Sequence, residues 1–243
     1  MTWPEGYGRR ILAEVDSTMA EAARLAPSLA GPEWIMARGQ TAARGRRGRH
    51  WVMPEGNLAA TLVMRVSEPP AIVALRSFVA SLALFDAVAA VTGQAGGLAL
   101  KWPNDVLLNG GKLAGILLES SGANLAIGIG VNLAFAPGAE EVEPGAVRPV
   151  SLMSETGVRV TPEEFLEYLA AAYAGREAQF TTFGFGPIRT AWLDRAARLG
   201  QPVVARTGRA ETRGTFETVD DTGQLVLKTP KGRVRIPAAD VYL

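Results

Sequence analysis

The chain has 243 residues, of which 48% are hydrophobic, and its 25 basic residues nearly balance its 24 acidic ones. This length and apolar content allow one large core with a small second unit, and the even charge disfavours a nucleic-acid-binding protein, which usually has a basic face. The chain has no cysteine, which excludes disulfides and thiolate nucleophiles, and its single histidine, His50, excludes a metal site with several histidines.

The amino terminus and the apolar runs indicate where the protein resides. The first ten residues lack an apolar signal core, and no uninterrupted apolar run reaches the roughly 18 to 20 residues of a membrane span. We therefore expect a soluble cytoplasmic protein. Because a Ser-His-Asp triad would have to use His50, we expect any catalysis to depend on positioning and electrostatics.

The first part of the chain predicts short strands and a short helix. Strands are expected at 11–15, 34–39 and 58–66, the last half buried because larger and smaller side chains alternate along it. Ser17 and Thr18 offer helix caps in front of an alanine-rich run. A cap is the simpler interpretation of these two residues taken alone.

A long helix and a group of closely spaced strands follow. Residues 72–91 carry apolar side chains at helical spacing and predict a buried helix on one face of a sheet. Asn109-Gly110 is a strong hairpin signal. We expect a largely antiparallel meander, with strands at 98–102, 106–108, 112–119 and 126–133.

The composition changes again towards the carboxyl terminus. Residues 134–149 predict an exposed loop, and helices are expected at about 161–180, after a Thr-Pro-Glu-Glu start, and at about 187–199. We divide the chain into a main domain, residues 1–198, and a small SH3-like barrel, residues 199–243. The strands expected in the barrel are 202–206, 211–217, 224–228 and 233–237.

The most unusual stretch is the arginine loop, residues 40–51, with the sequence Gln-Thr-Ala-Ala-Arg-Gly-Arg-Arg-Gly-Arg-His-Trp. Four arginines fall within six residues, and the glycines let backbone N–H groups and guanidinium forks approach a compact anion. We expect this loop to be mobile until a phosphate-bearing ligand or another anion binds. Nucleic-acid binding, or a solvated tail, explains the loop alone equally well.

A second unusual stretch is Lys-Trp-Pro-Asn-Asp, residues 101–105. Proline interrupts a strand there, and Asn104 and Asp105 supply oxygen ligands of the kind that Mg²⁺ takes together with water and phosphate. A turn without a metal is the simpler interpretation of this stretch alone. Lys112 begins an apolar strand, where it is either an edge charge or a cation at the mouth of a pocket. Glycines at 115, 128 and 130 indicate that a ligand or another strand comes close.

Taken together, these stretches resemble the biotin protein ligases. The motifs that carry the resemblance are, in order, Asp-Ser-Thr, Gln-Thr-Ala-x-Arg-Gly-Arg-Arg-Gly-Arg-x-Trp, Lys-Trp-Pro-Asn-Asp, Gly-Lys-Leu-Ala-Gly-Ile-Leu-Leu-Glu and Gly-x-Gly-x-Asn. The motifs cover residues 11–132, and the predicted helices and barrel match the family plan to the last residue. The family usually has glycine at the position of Ala43 and a polar residue at that of Met19, so we assign no ligand contact to Met19.

The resemblance implies an α+β fold and a two-step reaction. The fold would be a mixed, mainly antiparallel sheet flanked by helices, related to class II aminoacyl-tRNA synthetases, with residues 1–198 binding biotin and ATP. The biotin carboxylate would attack the α-phosphate of ATP and give biotinyl-5′-AMP and pyrophosphate, with Mg²⁺ on the phosphates. A specific lysine of a biotin carboxyl carrier protein or domain would then attack the activated carbonyl.

The resemblance also assigns roles to individual residues. The biotin-binding positions are Ser17, Thr18, Gln40, Arg44, Gly45, Arg46, Lys112, Gly115 and Ile116. The ATP-binding positions are Arg46, Arg49, Trp51, Asn104, Asp105, Lys112 and Asn132, and those that would hold Mg²⁺ are Asn104 and Asp105. Lys112 and Arg46 would be catalytic, because they offset the repulsion between carboxylate and phosphates. Arg47 would only close the loop.

Two other functions fit parts of the pattern. A lipoate-type protein ligase would share the fold and the adenylation chemistry, and a non-catalytic nucleic-acid-binding module would use the arginine loop alone. Because only about ten residues precede the first strand, we expect no helix-turn-helix and no DNA binding, and we expect no membrane partner. A homodimer stays open. We also expect the arginine loop to act as a lid that protects an acyl adenylate from water.

Overall fold

A computed structural model describes residues 2–49, 51–142, 145–207 and 210–242. His50, the single histidine considered for catalysis, lies outside the described residues.

The centre of the fold is a seven-stranded sheet. Its strands are β1 Gly8–Val15, β2 Glu33–Gln40, β3 Leu58–Arg65, β4 Leu98–Lys101, β5 Asp105–Leu108, β6 Gly111–Ser121 and β7 Asn124–Val131. In space they run β1-β2-β3-β7-β6-β5-β4, with β1 and β2 parallel and the other neighbouring pairs antiparallel. The prediction of a mixed, mainly antiparallel sheet, with a meander over its last four strands, is confirmed.

Helices cover both faces of this sheet. They are α1 Thr18–Leu25, α2 Pro70–Val73, α3 Arg76–Thr92, α4 Leu152–Thr156, α5 Pro162–Phe183 and α6 Phe185–Leu193. Successive strand residues point to opposite faces: Ile35 and Val63 pack with α1, whereas Trp34 and Leu62 belong to the larger core with α3 and α5. The central strand β3 is therefore buried on both faces, and the prediction that it is half buried is wrong.

Local sequence signals explain where several helices begin. The hydroxyl of Ser17 accepts a hydrogen bond from the N–H of Ala20 at 3.0 Å, so Ser17 caps α1. Thr161 and Glu164 form a reciprocal capping box at the start of α5, with a proline in its first turn. Asn109 and Gly110 both have positive φ angles, as a tight hairpin between β5 and β6 requires.

Two predictions of helices differ from the structure, and one helix was not predicted. The helix expected over 72–91 is divided into α2 and α3, and α4 was not predicted. The helix expected to reach residue 199 ends at Leu193, because the chain then turns to bond with β4, where the N–H of Ala197 donates to the carbonyl of Leu100. Pro70–Thr92 is apolar and long enough to span a membrane, yet 72% of its most apolar window is buried in the protein.

A small antiparallel barrel follows. Its strands are β8 Pro202–Arg206, β9 Glu211–Val219, β10 Leu225–Thr229, β11 Gly232–Ile236 and β12 Asp240–Tyr242, in the order β11-β10-β9-β8-β12. The SH3-like barrel is confirmed, and its last strand was not predicted. The barrel packs on the main sheet: the Trp102 indole N–H donates to the carbonyl of Gly223 at 3.1 Å, and the Trp192 ring lies 6.5 Å from that of Phe216.

Candidate functional site

One cavity of about 970 Å³ lies between the main sheet, the arginine loop, the segments 137–142 and 145–149, and the end of the barrel. Its floor is formed by β5, β6 and β7, and its far wall includes Asp240 and Tyr242 of β12. Every residue predicted to bind biotin or ATP lies on this cavity wall. They are Ser17, Thr18, Gln40, Arg44, Gly45, Arg46, Arg49, Trp51, Asn104, Asp105, Lys112, Gly115, Ile116 and Asn132.

A buried polar cluster occupies one end of the cavity, where α1 meets the end of β2. The backbone N–H of Thr18 donates to the side-chain oxygen of Gln40 at 2.7 Å, and the Thr61 hydroxyl donates to the Thr18 hydroxyl at 2.8 Å. Ser17 and Thr18 are each 4% exposed. Because these groups are already oriented by one another, this end can bind a compact polar ring with little ordering cost. Ser17 therefore both caps α1 and lies at this end of the cavity.

Met19 lies beside this cluster and is itself almost fully buried. Its sulfur would be 2.7 Å from a β-carbon placed on Gly128 of β7, so the thioether packs directly on the strand backbone. The sequence led us to assign no ligand contact to Met19, and the structure adds that it forms part of the cavity wall. A thioether contributes apolar surface there, where a polar side chain would contribute a hydrogen bond.

The indole of Trp51 covers the middle of the floor. Gly115 and Gly130 are paired across β6 and β7, and a β-carbon on Gly130 would lie 2.6 Å from the indole, or 3.3 Å if placed on Gly115. A larger side chain at either position would press against the ring, so the ring can lie here because both residues are glycine. The indole therefore lies against the same strand surface, at Gly115, that was predicted to accommodate an apolar ligand body.

Lys112 belongs to a charged cluster at the mouth of the cavity. Its ammonium group lies 2.7 Å from one oxygen of Asp105, and that of Lys101 lies 3.2 Å from the other. Burial alone would raise the pKa of Asp105, but the two lysines outweigh this effect, so its pKa lies below the ordinary value of 3.8. Asp105 is therefore ionised, and it fixes Lys112 within 5.6 Å of the Trp51 ring centre.

Arg46 crosses the cavity wall from the arginine loop. Its guanidinium donates to the side-chain oxygen of Asn104 at 3.2 Å and to the carbonyl of Ala239 at 3.3 Å. Burial lowers the pKa of Arg46, and Asp240 and Asp105 partly oppose this effect. The result is a half-buried cation that faces the same space as Lys112, which is an arrangement suited to an anion.

The oxygens of Asn104 and Asp105 do not fit a metal ion as they are arranged. The amide oxygen of Asn104 accepts from Arg46, and both oxygens of Asp105 contact lysines. Among the residues that the structure describes, no group of three or more acidic or histidine side chains converges on one point. A cation beside three ammonium and guanidinium groups would need phosphate as its main ligand.

Three further predicted residues of the cavity wall have side-chain partners of their own. Arg44 pairs with Glu119 at 2.9 Å, near the outer end of β6, and Arg49 lies 2.9 Å from Asp240. The side chain of Asn132 donates to the carbonyl of Val150 and so ties the end of β7 to the segment that follows the long loop.

Two further cavity residues, Lys101 and Asp240, were not predicted as functional, and the sequence gives a signal for only one of them. Lys101 lies inside the Lys-Trp-Pro-Asn-Asp motif, so the motif itself could have suggested it. Asp240 follows two alanines near the end of the chain in an unremarkable setting. Nothing local to its sequence indicates that it meets the arginine loop.

Comparison with known proteins identifies the class to which this fold and cavity belong. Residues 8–134 match the biotin/lipoate A/B protein ligase family, and residues 199–243 match the biotin protein ligase C terminal domain. The chain belongs to the biotin/lipoate A/B protein ligase family.

Particular relatives make the similarity closer. The chain is 60% identical over 237 residues to the biotin–[acetyl-CoA-carboxylase] ligase of Paracoccus denitrificans, a match that covers 96% of this chain and 99% of the relative. It is 33% identical to a bifunctional ligase/repressor of Bacillus subtilis, of which it covers 65%. A solved structure, the biotin protein ligase from Aquifex aeolicus in complex with biotin and ATP, has a TM-score of 0.85 at 26% identity, covering 96% of this chain and 98% of that one.

Proposed function

We propose that the chain is an ATP-dependent ligase that activates biotin as biotinyl-5′-AMP and transfers the biotinyl group to a lysine of a biotin carboxyl carrier domain. The observation that carries the proposal is that one cavity contains three kinds of surface. Arg46 and Lys112 supply positive charge, Ser17, Thr18 and Gln40 form a buried polar cluster at one end, and the strands of the floor supply apolar surface. Such a cavity suits an acid with a polar ring, an apolar body and a carboxylate that must meet a phosphate. The similarity to the Paracoccus denitrificans ligase supports biotin as that acid.

In the first step, a carboxylate oxygen attacks the α-phosphorus of ATP and pyrophosphate leaves. Two anions must approach each other, so cations that are already in place lower the barrier. We assign this role to Lys112 and Arg46. The buried carboxylate of Asp105 keeps Lys112 in place from a distance of 2.7 Å, and Asn104 does the same for Arg46. Ser17, Thr18 and Gln40 are assigned to the polar ring of biotin, and Gly115 and Ile116 to its apolar body, as the resemblance implies.

In the second step, the lysine amine of the acceptor attacks the acyl carbonyl, AMP leaves and the amine proton passes to solvent. This step needs no covalent enzyme intermediate, so we assign the chain the role of positioning the adenylate. We propose that the arginine loop and Trp51 stay over the adenylate until the acceptor arrives, and so keep water from hydrolysing it. The nucleotide positions assigned here are Arg49, Trp51, Asn132 and the two cations named above.

Several finer assignments belong to the same proposal. Mg²⁺ would arrive as part of the substrate, bound to the ATP phosphates, and Asn104 or Asp105 would reach it only by giving up a present contact. The acceptor is a carrier domain of a biotin-dependent carboxylase, and the reaction takes place in the cytoplasm. We propose no DNA or membrane partner for these residues and leave a homodimer open. Residues 1–198 and 199–243 are taken as the two domains.

Transfer to a carrier domain tests this function. Purified chain is incubated with ATP, Mg²⁺ and either biotin or lipoate, together with a carrier domain or a control in which the acceptor lysine is replaced by arginine. The expected result is a mass increase of one biotinyl group, with biotin only and at that lysine only. Modification with lipoate instead would favour the lipoate-type ligase, and no modification with either acid would contradict the proposal.

A further inference from the structure

Three arginines of the arginine loop converge on one carboxylate of the barrel. The nearest atoms of Arg47, Arg49 and Arg46 lie 2.5, 2.9 and 3.8 Å from the carboxylate oxygens of Asp240. The side chain of Asp240 is 16% exposed, whereas those of Arg47 and Arg49 are 46% and 39% exposed, so these contacts are shielded from water on the side of the carboxylate. The loop and this carboxylate are separated by more than 190 residues in the chain.

The barrel holds Asp240 in a defined position. Asp240 begins β12, which pairs with β8, and its partner across the pair is Arg206. The neighbours Ala239 and Val241 are 0% and 7% exposed and belong to the shared core. A carboxylate on a paired strand with buried neighbours moves little, so it can act as a fixed point for a glycine-rich loop.

The loop tip is shaped to reach this fixed point. Arg47 has φ of 58° and ψ of 24°, a left-handed conformation that a residue other than glycine adopts rarely. This turn sends Arg47 out towards Asp240, whereas Arg46 points to Asn104 in the cavity wall. Arg47 and Arg46 therefore share Asp240, but Arg46 also binds Asn104 and lies on the cavity wall.

We propose that Asp240 is a positioning residue for adenylation: by binding Arg47 and Arg49 it keeps the arginine loop on the barrel and so keeps Arg46 at the cavity wall. This inference rests on the proposed function and assigns the barrel a part in it. Four arginines close in sequence repel one another, and Asp240 offsets that repulsion. Arg47 gains a role in the loop's position that does not require contact with substrate.

Substitutions at Asp240 and Arg47 test the proposal by steady-state kinetics of biotin-dependent pyrophosphate exchange. Asp240→Asn should raise KM for ATP about fivefold to tenfold, the loss expected for one partly shielded ion pair, with a smaller effect on kcat. Asp240→Glu, which keeps the charge, should restore KM to within about twofold. Arg47→Ala should also raise KM, and the double variant should be no worse than the worse single variant, because Asp240→Asn already removes the contact that Arg47→Ala removes.

Limited trypsin digestion adds a readout that does not depend on activity. Asp240→Asn should speed the first cleavage within residues 44–49, identified by mass, because the loop is no longer held. The matched control is Glu217→Gln, which removes an ion pair with Arg233 on the outer surface of the same barrel and should change neither KM nor cleavage.

Three results would overturn the inference: unchanged KM and cleavage in Asp240→Asn, effects that multiply in the double variant, or an equal loss in Glu217→Gln. If the unsubstituted chain showed no exchange with biotin, the proposed function would fail, while the cleavage rates would still report whether Asp240 holds the loop. If Asp240→Asn did not fold, the rise in KM for ATP expected of Arg47→Ala would give the same kinetic test.

Discussion

Lys112 reaches the cavity from a strand, and a buried carboxylate determines where its charge lies. Asp105 is shared with Lys101, so removal of Lys112 leaves the carboxylate with a second cation, and we expect the fold to persist. The role of Lys112 in chemistry can therefore be separated from its role in stability. The two roles cannot be separated in this way at Asp105, because its removal would leave both Lys101 and Lys112 without their partner.

Lys112→Ala should lower biotin-dependent pyrophosphate exchange about 100-fold or more, the typical loss of a well-placed charged donor in a transition state. The matched control is Lys231→Ala, in the exposed turn between β10 and β11, which should leave exchange unchanged. Near-normal exchange in Lys112→Ala would remove this residue from the chemistry.

Asp105→Asn should change how stability depends on pH. The folded-state pKa of Asp105 lies below 3.8, so its ionised form stabilises the fold above that pH, and this contribution is lost as the pH falls through the folded pKa. Unfolding in urea at pH 7 should show a loss of about 3 kcal/mol in the variant, which leaves two lysines without their buried partner. At pH 3 the difference should shrink. A difference that stayed constant between the two pH values would contradict the assignment of an ionised Asp105.

At the scale of elements, the paired strands β6 and β7 form the floor because two glycines face each other there. Gly115 and Gly130 leave room for a flat ring, and the described structure places Trp51 on them. The strands supply a rigid surface, and the arginine loop supplies the ring that lies on it. Ligand binding at this surface therefore involves the loop directly.

Gly130→Ala tests this contact. The added methyl group would lie 2.6 Å from the indole, too close for a real contact, so the ring must move. KM for ATP should rise, and the free energy of unfolding should change little. Gly115→Ala, at 3.3 Å, should have a weaker effect, and Gly175→Ala in α5, which meets nothing within 4 Å, should have none. Equal kinetics in all three variants would mean that the position of Trp51 does not matter for catalysis.

Much of the fold could be predicted from local patterns. The strands of the meander, the cap at Ser17 and the turn at Asn109 depend on neighbours in sequence, and these predictions are confirmed. The three residues of β12 are too few to show an alternation, and the end of α6 depends on a bond to β4. Both depend on partners that are distant in the chain, so the sequence alone did not reveal them.

The candidate site shows the same limit. The motifs led to every cavity residue named for biotin and ATP, although their individual roles stay predictions. The contact between Arg47 and Asp240, and the indole over Gly130, depend on how distant segments meet. No periodicity or motif in one segment encodes such a contact.

At the scale of the whole molecule, the main sheet and the barrel share one core. Leu75 and Phe78 of the main domain pack against the turn at Gly223, where a β-carbon would lie 2.9 Å from Leu75. Trp192 joins the two parts through its contacts with Phe78 and Phe216. The barrel is thus attached firmly enough to present Asp240 to the arginine loop, and the cavity is complete only when both parts are present.

The central claim is that this cavity activates biotin with ATP. The most direct measurement is exchange of labelled pyrophosphate into ATP by the intact chain, with biotin, with lipoate and with neither acid, alongside RNA binding at increasing salt. The account predicts exchange that depends on biotin and no RNA binding at physiological salt. Exchange that depends on lipoate, or salt-sensitive RNA binding without any exchange, would contradict it.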